Sequence, residues 1–409
     1  MSKTALIPRY RFPKFIETGE WKTVTLDDLA NKIVVRNKVG FVTRILTNSA
    51  IGGVVDQSDY FDREIATKKN LDSYLVIDEG DYVYNPRIST TAPVGPISKN
   101  KIGKGVISPL YMVFRFEDPD NDFYEHYFKT NLWHKYLKSV SNTGARHDRM
   151  SISSESFMKM PLPCHIGEER QKIADCLTSI EHLINAESKM LAHLISHKVG
   201  MMQKLLPAEG EAMPEWRFPE FEGSEGWEGK TLGSSCISFS GGTPDTSNRM
   251  YYNGSIPFIR SGEIDKNTTE LFITKDGFDN SAAKMVRIGD ILVALYGANS
   301  GEVSLSKIEG AINQAILCLQ HETNNAFVYQ YLSHKKNWIT TTYMQGGQGN
   351  LSGEIIKSIK LYFPKSEEQQ KIADCLSFLD ECIKIQSEKI ETLWLHKKGL
   401  LQGLFPTRG

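Results

Sequence analysis

The chain has no Cys-x-x-Cys pair. Its six cysteines, Cys164, Cys176, Cys236, Cys318, Cys375 and Cys382, are scattered over 409 residues, which disfavours a zinc knuckle or a disulfide framework and points to reduced thiols. No run of about 18 apolar residues occurs, so no membrane-spanning helix is expected. Residues 1–15 carry Arg and Lys beside Pro8 and Pro13 but no apolar stretch, so a secretory signal is not expected and a cytoplasmic home follows. An excess of one charge is also missing: 48 basic against 49 acidic residues leave a formal net charge of −1. Bulk positive potential therefore cannot draw the chain to nucleic acid, and any such contact must come from local clusters or a larger assembly. Catalytic signatures are lacking too, with no Gly-x-Ser-x-Gly elbow, His-Glu-x-x-His helix or Walker loop.

What is present is core-forming material, 40% hydrophobic and 10% aromatic, enough for two or more well-buried domains, and a duplication. Arg11-Phe12-Pro13-Lys14-Phe15 returns as Arg217-Phe218-Pro219-Glu220-Phe221, and Trp21, Thr25 and Leu26 return as Trp227, Thr231 and Leu232, all at a shift of 206. Gly80-Asp81 answers Gly289-Asp290, and Gly95 answers Gly301. The shift then falls to 199, where Gln171-Lys172-Ile173-Ala174-Asp175-Cys176-Leu177 answers Gln370-Lys371-Ile372-Ala373-Asp374-Cys375-Leu376. Similarity is dense at the edges of each half and sparse within, roughly at 40–150 and 240–350. A frame copied around two diverged interiors suits the display of two different recognition surfaces.

From Glu168 to Leu206 and from Glu367 to Phe405 the apolar residues keep helical period, with no interior glycine before Gly200 and Gly399. The seams read Ile173, Leu177, Ile180, Ile184, Leu191 and Leu194 in the first helix, and Ile372, Leu376, Leu379, Ile383, Ile390 and Leu393 in the second. A narrow stripe of this length must pack against another helix, and the other copy is the expected partner. Glu187, Lys198, Gln386 and Lys397 occupy the remaining seam positions, where polar groups fix register or sit at exposed edges. Each helix of about 39 residues would be close to 58 Å long at about 1.5 Å per residue. His193 and His197 lie four apart on the first helix, but the second copy has Thr392 and His396 there and no third ligand is evident, so no metal site is expected.

The interiors have the mixed signature of α/β or α+β domains, with short β-rich runs bounded by turn residues. In the first, Arg87, Thr90 and Thr91, then Lys101 and Lys104, then Arg146 and Arg149 lie on basic or hydroxyl-bearing segments suited to phosphate and guanine contact. In the second, the loops holding Thr243, Arg249, Tyr252, Arg260, Tyr296, Asn299, Gln348 and Asn350 are rich in amides, which pair with adenine edges. Arg149 and Asn350 fall at matching places before Met150-Ser151 and Leu351-Ser352, which marks their loops as equivalent edges of the two interiors.

The paired Phe-Pro-x-Phe…Trp openings, the paired Glu-Glu-x-Gln-Lys-Ile-Ala-Asp-Cys-Leu helix starts, the Leu-Leu-Pro and Leu-Phe-Pro helix ends and the loop Gly242-Thr243-Pro244 together resemble the specificity subunits of type I restriction-modification systems, over nearly the whole chain. The resemblance implies an α/β (α+β) protein with two target-recognition domains of related fold, joined by two long antiparallel coiled-coil helices in a pseudo-twofold internal repeat. The expected divisions are a first target-recognition domain at 1–163, its helix at 164–207, a second domain at 208–364 and its helix at 365–409. Each domain would read one half of a bipartite site in double-stranded DNA, with the helices setting the spacer and recruiting two methyltransferase subunits and, through them, two translocase/nuclease subunits. The subunit itself would be non-catalytic and without cofactor, S-adenosylmethionine, ATP and magnesium being held by the partners. The competing expectation is a structural adaptor with two protein-binding domains on a coiled-coil scaffold.

Overall fold

The structure, a computed structural model, describes residues 6–38, 40–60, 68–141, 148–343 and 350–406. It divides into two compact units, Met1–Ala186 with Ile390–Gly409, and Glu187–Lys389. In the first unit the chain runs through β1 (Lys22–Thr25), β2 (Ala30–Lys32), β3 (Ile45–Ser49), β4 (Gly53–Asp56), α1 (Gln57–Tyr60), β5 (Leu75–Ile77), β6 (Tyr82–Tyr84), β7 (Ile97–Lys99), β8 (Gly105–Ile107) and β9 (Met112–Phe116). Helices α2 (Asp122–Phe128), α3 (His134–Val140) and α4 (Ser154–Met158), strand β10 (Pro161–Cys164) and the long α5 (Gly167–Leu205) follow. The second unit repeats the plan with β11 (Glu228–Thr231), α6 (Leu232–Ser235), β12 (Cys236–Ser240), β13 (Tyr252–Ile259), β14 (Phe272–Ile273), α7 (Lys275–Asp279), β15 (Lys284–Val286), β16 (Ile291–Ala294), β17 (Val303–Leu305), β18 (Gly310–Ile312) and β19 (Ile316–His321). It closes with α8 (Asn325–Tyr343), α9 (Gly353–Ser358), β20 (Lys360–Phe363) and the long α10 (Ser366–Leu404).

Strand for strand the two units agree. The first holds sheets ordered β4-β3-β8-β5, β2-β9-β6-β7 and β1-β10; the second holds β14-β13-β18-β15, β12-β19-β16-β17 and β11-β20. The single parallel pair recurs as well, β3 with β8 and β13 with β18. The diverged interiors therefore share one topology. Gly95 and Gly301 both take left-handed φ, +81° and +88°, and a Cβ at Gly95 would collide with the Asn85 carbonyl oxygen, which is why glycine recurs at these turns. Ser153 and Ser352 cap α4 and α9 in the same way, accepting from the Ser156 and Ile355 N–H groups.

The arginine of each Phe-Pro-x-Phe opening has a structural task. Arg11 grips Glu169 in a two-point bond of 2.7 and 2.8 Å, and Arg217 grips Glu368 at 2.8 and 2.6 Å. Both carboxylates are buried, so each fork ties the segment before β1 or β11 to the first turn of a long helix.

In the first unit Ile173, Ala174 and Leu177 of α5 share a core with Leu404 and Phe405 at the end of α10, and Ile180 and Ile184 are buried. In the second, Met202 and Leu205 of α5 share a core with Ile372, Ala373 and Leu376 of α10, and Leu379 is buried. Numbers rise on one helix as they fall on the other, so the pair is antiparallel. Leu191, Leu194, Ile383, Ile390 and Leu393, nearer the helix middles, are half-buried.

The polar seam residues pair across the helices. In the second unit Gln386 Nε2 donates to Glu187 Oε2 at 2.6 Å and to its backbone carbonyl at 2.9 Å, joining two positions that answer each other in the repeat. Lys198 reaches Asp380 at 2.5 Å in the second unit, and Lys397 reaches Glu181 at 2.7 Å in the first; these four are also repeat equivalents, at the shift of 199.

Candidate nucleic-acid interface

Common topology fixes which loops correspond. The chain leaving β2, the β6–β7 loop, the β8–β9 loop and the segment before α4 answer the chain leaving β12, the β16–β17 loop, the β18–β19 loop and the segment before α9. In the first unit these segments are laced together. Arg87 and Arg149 form an isolated antiparallel bridge, Met150 N–H donates to the Pro86 carbonyl at 2.8 Å and Ile88 N–H to that of Asp148 at 3.0 Å. The Thr90 and Thr91 side chains stand exposed at the loop tip, held by a turn in which Ala92 N–H donates to Ser89 Oγ. In the second unit Leu295 N–H donates to the Ala315 carbonyl and Leu351 N–H to that of Leu295, both at 2.8 Å. Thr243 Oγ1 donates to Gln314 Oε1 at 2.7 Å, and Tyr252 Oη donates to the Pro244 carbonyl at 2.8 Å. Exposed Tyr296, Asn299 and Asn350 therefore share a rim with Thr243 and Tyr252, and Gly297 N–H donates to Asn350 Oδ1.

Other expected contact residues are committed elsewhere. Lys101 lies 2.7 Å from Glu125, and Lys104 lies 3.8 Å from Asp78 beyond the opposite end of β7. Arg260 is held by both Glu263 and Glu270, at 3.0 and 2.6 Å. Burial would raise the Glu263 carboxyl, but bonds from Arg260 and from backbone N–H groups outweigh it and hold it at about 2. Arg249 is exposed just before β13. Arg146 and Gln348 lie outside the described residues.

Two cations outside the expected set, Lys32 and Arg36, lie beside Arg149. Lys32, Arg36 and Arg149 line a cavity of about 430 Å³ with Val34, Pro86, Leu110 and Tyr111. The signal was available in the cation spacing of Lys32-Ile33-Val34-Val35-Arg36, opposite Ser238-Ile237-type strand residues and the Gly241-Gly242 turn of the other half, but it reads first as a β-strand. Among the described residues no group of three or more His, Cys, Asp or Glu is placed to hold a metal, and no helix is long and apolar enough to cross a membrane.

Residues 224–394 match the family described as type I restriction modification DNA specificity domain. Along 403 residues the chain is 25% identical to the type I restriction enzyme MjaVIII specificity subunit of Methanocaldococcus jannaschii, covering 93% of this chain and 91% of that one. The chain is thus similar in sequence, over nearly its whole length, to the type I restriction-modification specificity subunits. Its fold is that of the S subunit from M. genitalium, with a TM-score of 0.64 and 14% identity over 99% of this chain and 100% of that one. A chain from a study of complex assembly and conformational transition in the type I R-M system gives 0.56 and 15%, over 94% and 97%.

In each unit a polar cluster fastens a helix of the globular part, α2 or α8, to the long helices. In the first unit Glu181 meets Lys129 and Lys397 at 2.9 and 2.7 Å, and buried His126 bonds Thr178 through Nε2 at 2.9 Å. Burial would raise the Glu181 carboxyl, but hydrogen bonds from Lys397 and Lys129 hold it at about 2. Burial first, and the Lys129 charge second, lower His126 to about 4. In the second unit Gln330 donates to Asp380 at 2.7 Å in the place of the histidine.

Proposed function

We propose that this specificity subunit reads a bipartite site on double-stranded DNA, one half-site per unit, with the matched loop edge of each unit as its DNA face. One observation carries the reading: twenty strands repeat as ten pairs in the same order, while the side chains on the corresponding loop edge differ in chemistry from one unit to the other. A frame kept constant around changed loops is what two readers of different sequence require. Arg87, Thr90, Thr91 and Arg149 form the contact set of the first unit, and Thr243, Tyr252, Tyr296, Asn299 and Asn350 that of the second. Lys101, Lys104 and Arg260, already facing carboxylates, add field rather than base contacts.

The long helices set the spacer and recruit two methyltransferase subunits and, through them, two translocase/nuclease subunits. Exposed apolar side chains on them support this: Leu183, Trp394 and Leu395 in the first unit, and Met190, Val199, Phe378 and Ile385 in the second. S-adenosylmethionine, ATP and magnesium belong to those partners, which carry out the bond-making and bond-breaking steps inside the cell. Methylome mapping of the host with and without this chain tests the reading; a split methylated motif that vanishes with the chain is expected, and an unchanged methylome would refute it. Adding about four residues to each helix lengthens it by about 6 Å and should widen the spacer by roughly two base pairs. An unchanged spacer would remove the helices from that role.

A further inference from the structure

Register pairing gives each cation on the first unit's edge a counterpart in the second. Lys32 pairs with Phe114, and Ser238 pairs with Leu319 at the same rung; continuing the chain at the same shift sets Arg36 opposite Gly242. Tyr82 pairs with Phe114, and Ile291 with Leu319, which sets Arg87 opposite Tyr296. Arg149 stands opposite Asn350. Lys32, Arg36, Arg87 and Arg149 thus correspond in the repeat to Ser238, Gly242, Tyr296 and Asn350, and all four positive charges are lost.

In the first unit three of these charges, Lys32, Arg36 and Arg149, line a cavity. No acidic residue lines it, and among the described residues Arg36 and Arg87 make no ion pair. Lys32 Nζ donates to Ser154 Oγ at 2.6 Å, a neutral partner. Arg149 is three-quarters buried, and among the described residues its one carboxylate is Asp148 at 3.5 Å and its buried Nε–H has no acceptor. An orphaned guanidinium N–H in a cation-lined recess costs free energy until an anion arrives. The mouth is apolar, with Val34 and Leu110 each 64% exposed. Cations around the recess and aliphatic groups at its mouth match a phosphate with its attached sugar.

We propose that this recess seats a backbone phosphate of the first half-site, bound by Arg36, Arg149 and Lys32, and that the second unit holds its half-site without an equivalent clamp. Arg149 and Asn350, at matching places, then do different work: the arginine positions the backbone and the exposed amide reads a base. The inference rests on the DNA-reading function above.

The test is binding of full-length protein, assembled with its methyltransferase subunits, to its bipartite duplex and to a scrambled duplex across a range of KCl concentrations. Arg36→Gln should weaken binding to both duplexes and reduce the slope of log K against log [salt] measurably, by up to about 0.9, the value for one whole phosphate. Arg36→Lys should keep the slope, and Asn350→Ala should keep the slope while losing discrimination at one half-site. On wild-type protein, scanning the first half-site with neutral methylphosphonates should find one position where the slope falls by about 0.9, and Arg36→Gln should add nothing there. A folded Arg36→Gln with an unchanged slope, or a flat methylphosphonate scan, would overturn the clamp. Stabilisation of the protein by inorganic phosphate alongside a flat scan would assign the recess to a free anion and would overturn it equally. Wild-type protein that binds both duplexes alike would instead refute the DNA-reading function itself.

Discussion

The two units reach the same topology with different materials. The first packs Tyr82, Tyr84, Phe114 and Phe128 where the second packs Ile291, Val293, Leu319 and Leu332, and its rings stack or meet edge-on, as Phe116 and Tyr124 do at 4.6 Å. Strand order survives this exchange because the pattern of buried and exposed positions, rather than the shape of each side chain, specifies which strands pair. The lesson extends to charge. Where the first unit fastens α2 to the long helices with His126, Glu181, Lys129 and Lys397, the second fastens α8 with Gln330, Asp380 and Lys198, and the four cations of the first unit's edge have uncharged counterparts in the second. Geometry is held in common and electrostatics is free to diverge.

That comparison can be broken most severely at the fastening clusters. Glu181→Ala leaves Lys397, only 9% exposed at its side chain, without its carboxylate, and should cost about 3 to 5 kcal/mol in a urea titration. Asp380→Ala, at a site where the carboxylate is 38% exposed, should cost about 1 kcal/mol. Equal losses would erase the difference between the units.

Asn350→Ala should cost about 1 to 3 kcal/mol of binding at the second half-site and nothing at the first, measured with duplexes altered in one half at a time. Loss on every duplex would make Asn350 a backbone contact.

The histidine sharpens the contrast through pH. Because the folded state holds His126 at about 4, below its ordinary value of about 6.5, the unfolded chain binds the extra proton between those values. Stability is therefore full above about pH 6.5 and is lost as pH falls towards 4. Installing the second unit's residue, His126→Gln, should remove about 1 kcal/mol of that loss at pH 5.5, seen as a flatter plot of unfolding midpoint against pH. A plot as steep as that of wild type would place the acid sensitivity elsewhere.

The smallest effect belongs to the helix crossing. Exchanging the pair as Glu187→Gln with Gln386→Glu should alter stability by less than about 0.5 kcal/mol. The two positions answer each other in the repeat, and Lys389, now 2.6 Å from Glu187, lies one turn from residue 386.

The frame was legible in the sequence because its signals are strong: two helices of 39 residues with a seam, expected one residue later at each end than they occur, and paired openings whose arginines reach buried glutamates. The interiors were harder. Strands of three to five residues such as β5, β6 and β8 carry too few alternations to declare a face. The use of individual cations was not legible either, since nothing local to Lys101 or Arg260 reveals that Glu125 or Glu270 folds back onto it. The edge at Lys32 and Arg36 emerged only when strand register set the two halves side by side.

The central claim is that two interchangeable readers sit in one repeated frame. Grafting residues 26–160 in place of 232–359, between the paired strands β11 and β20, would give a chain with two copies of the first reader, and methylome mapping would report its target. The account predicts a split motif whose two halves carry the same sequence in inverted order. A motif that keeps the original second half, or one no longer divided in two, would contradict it.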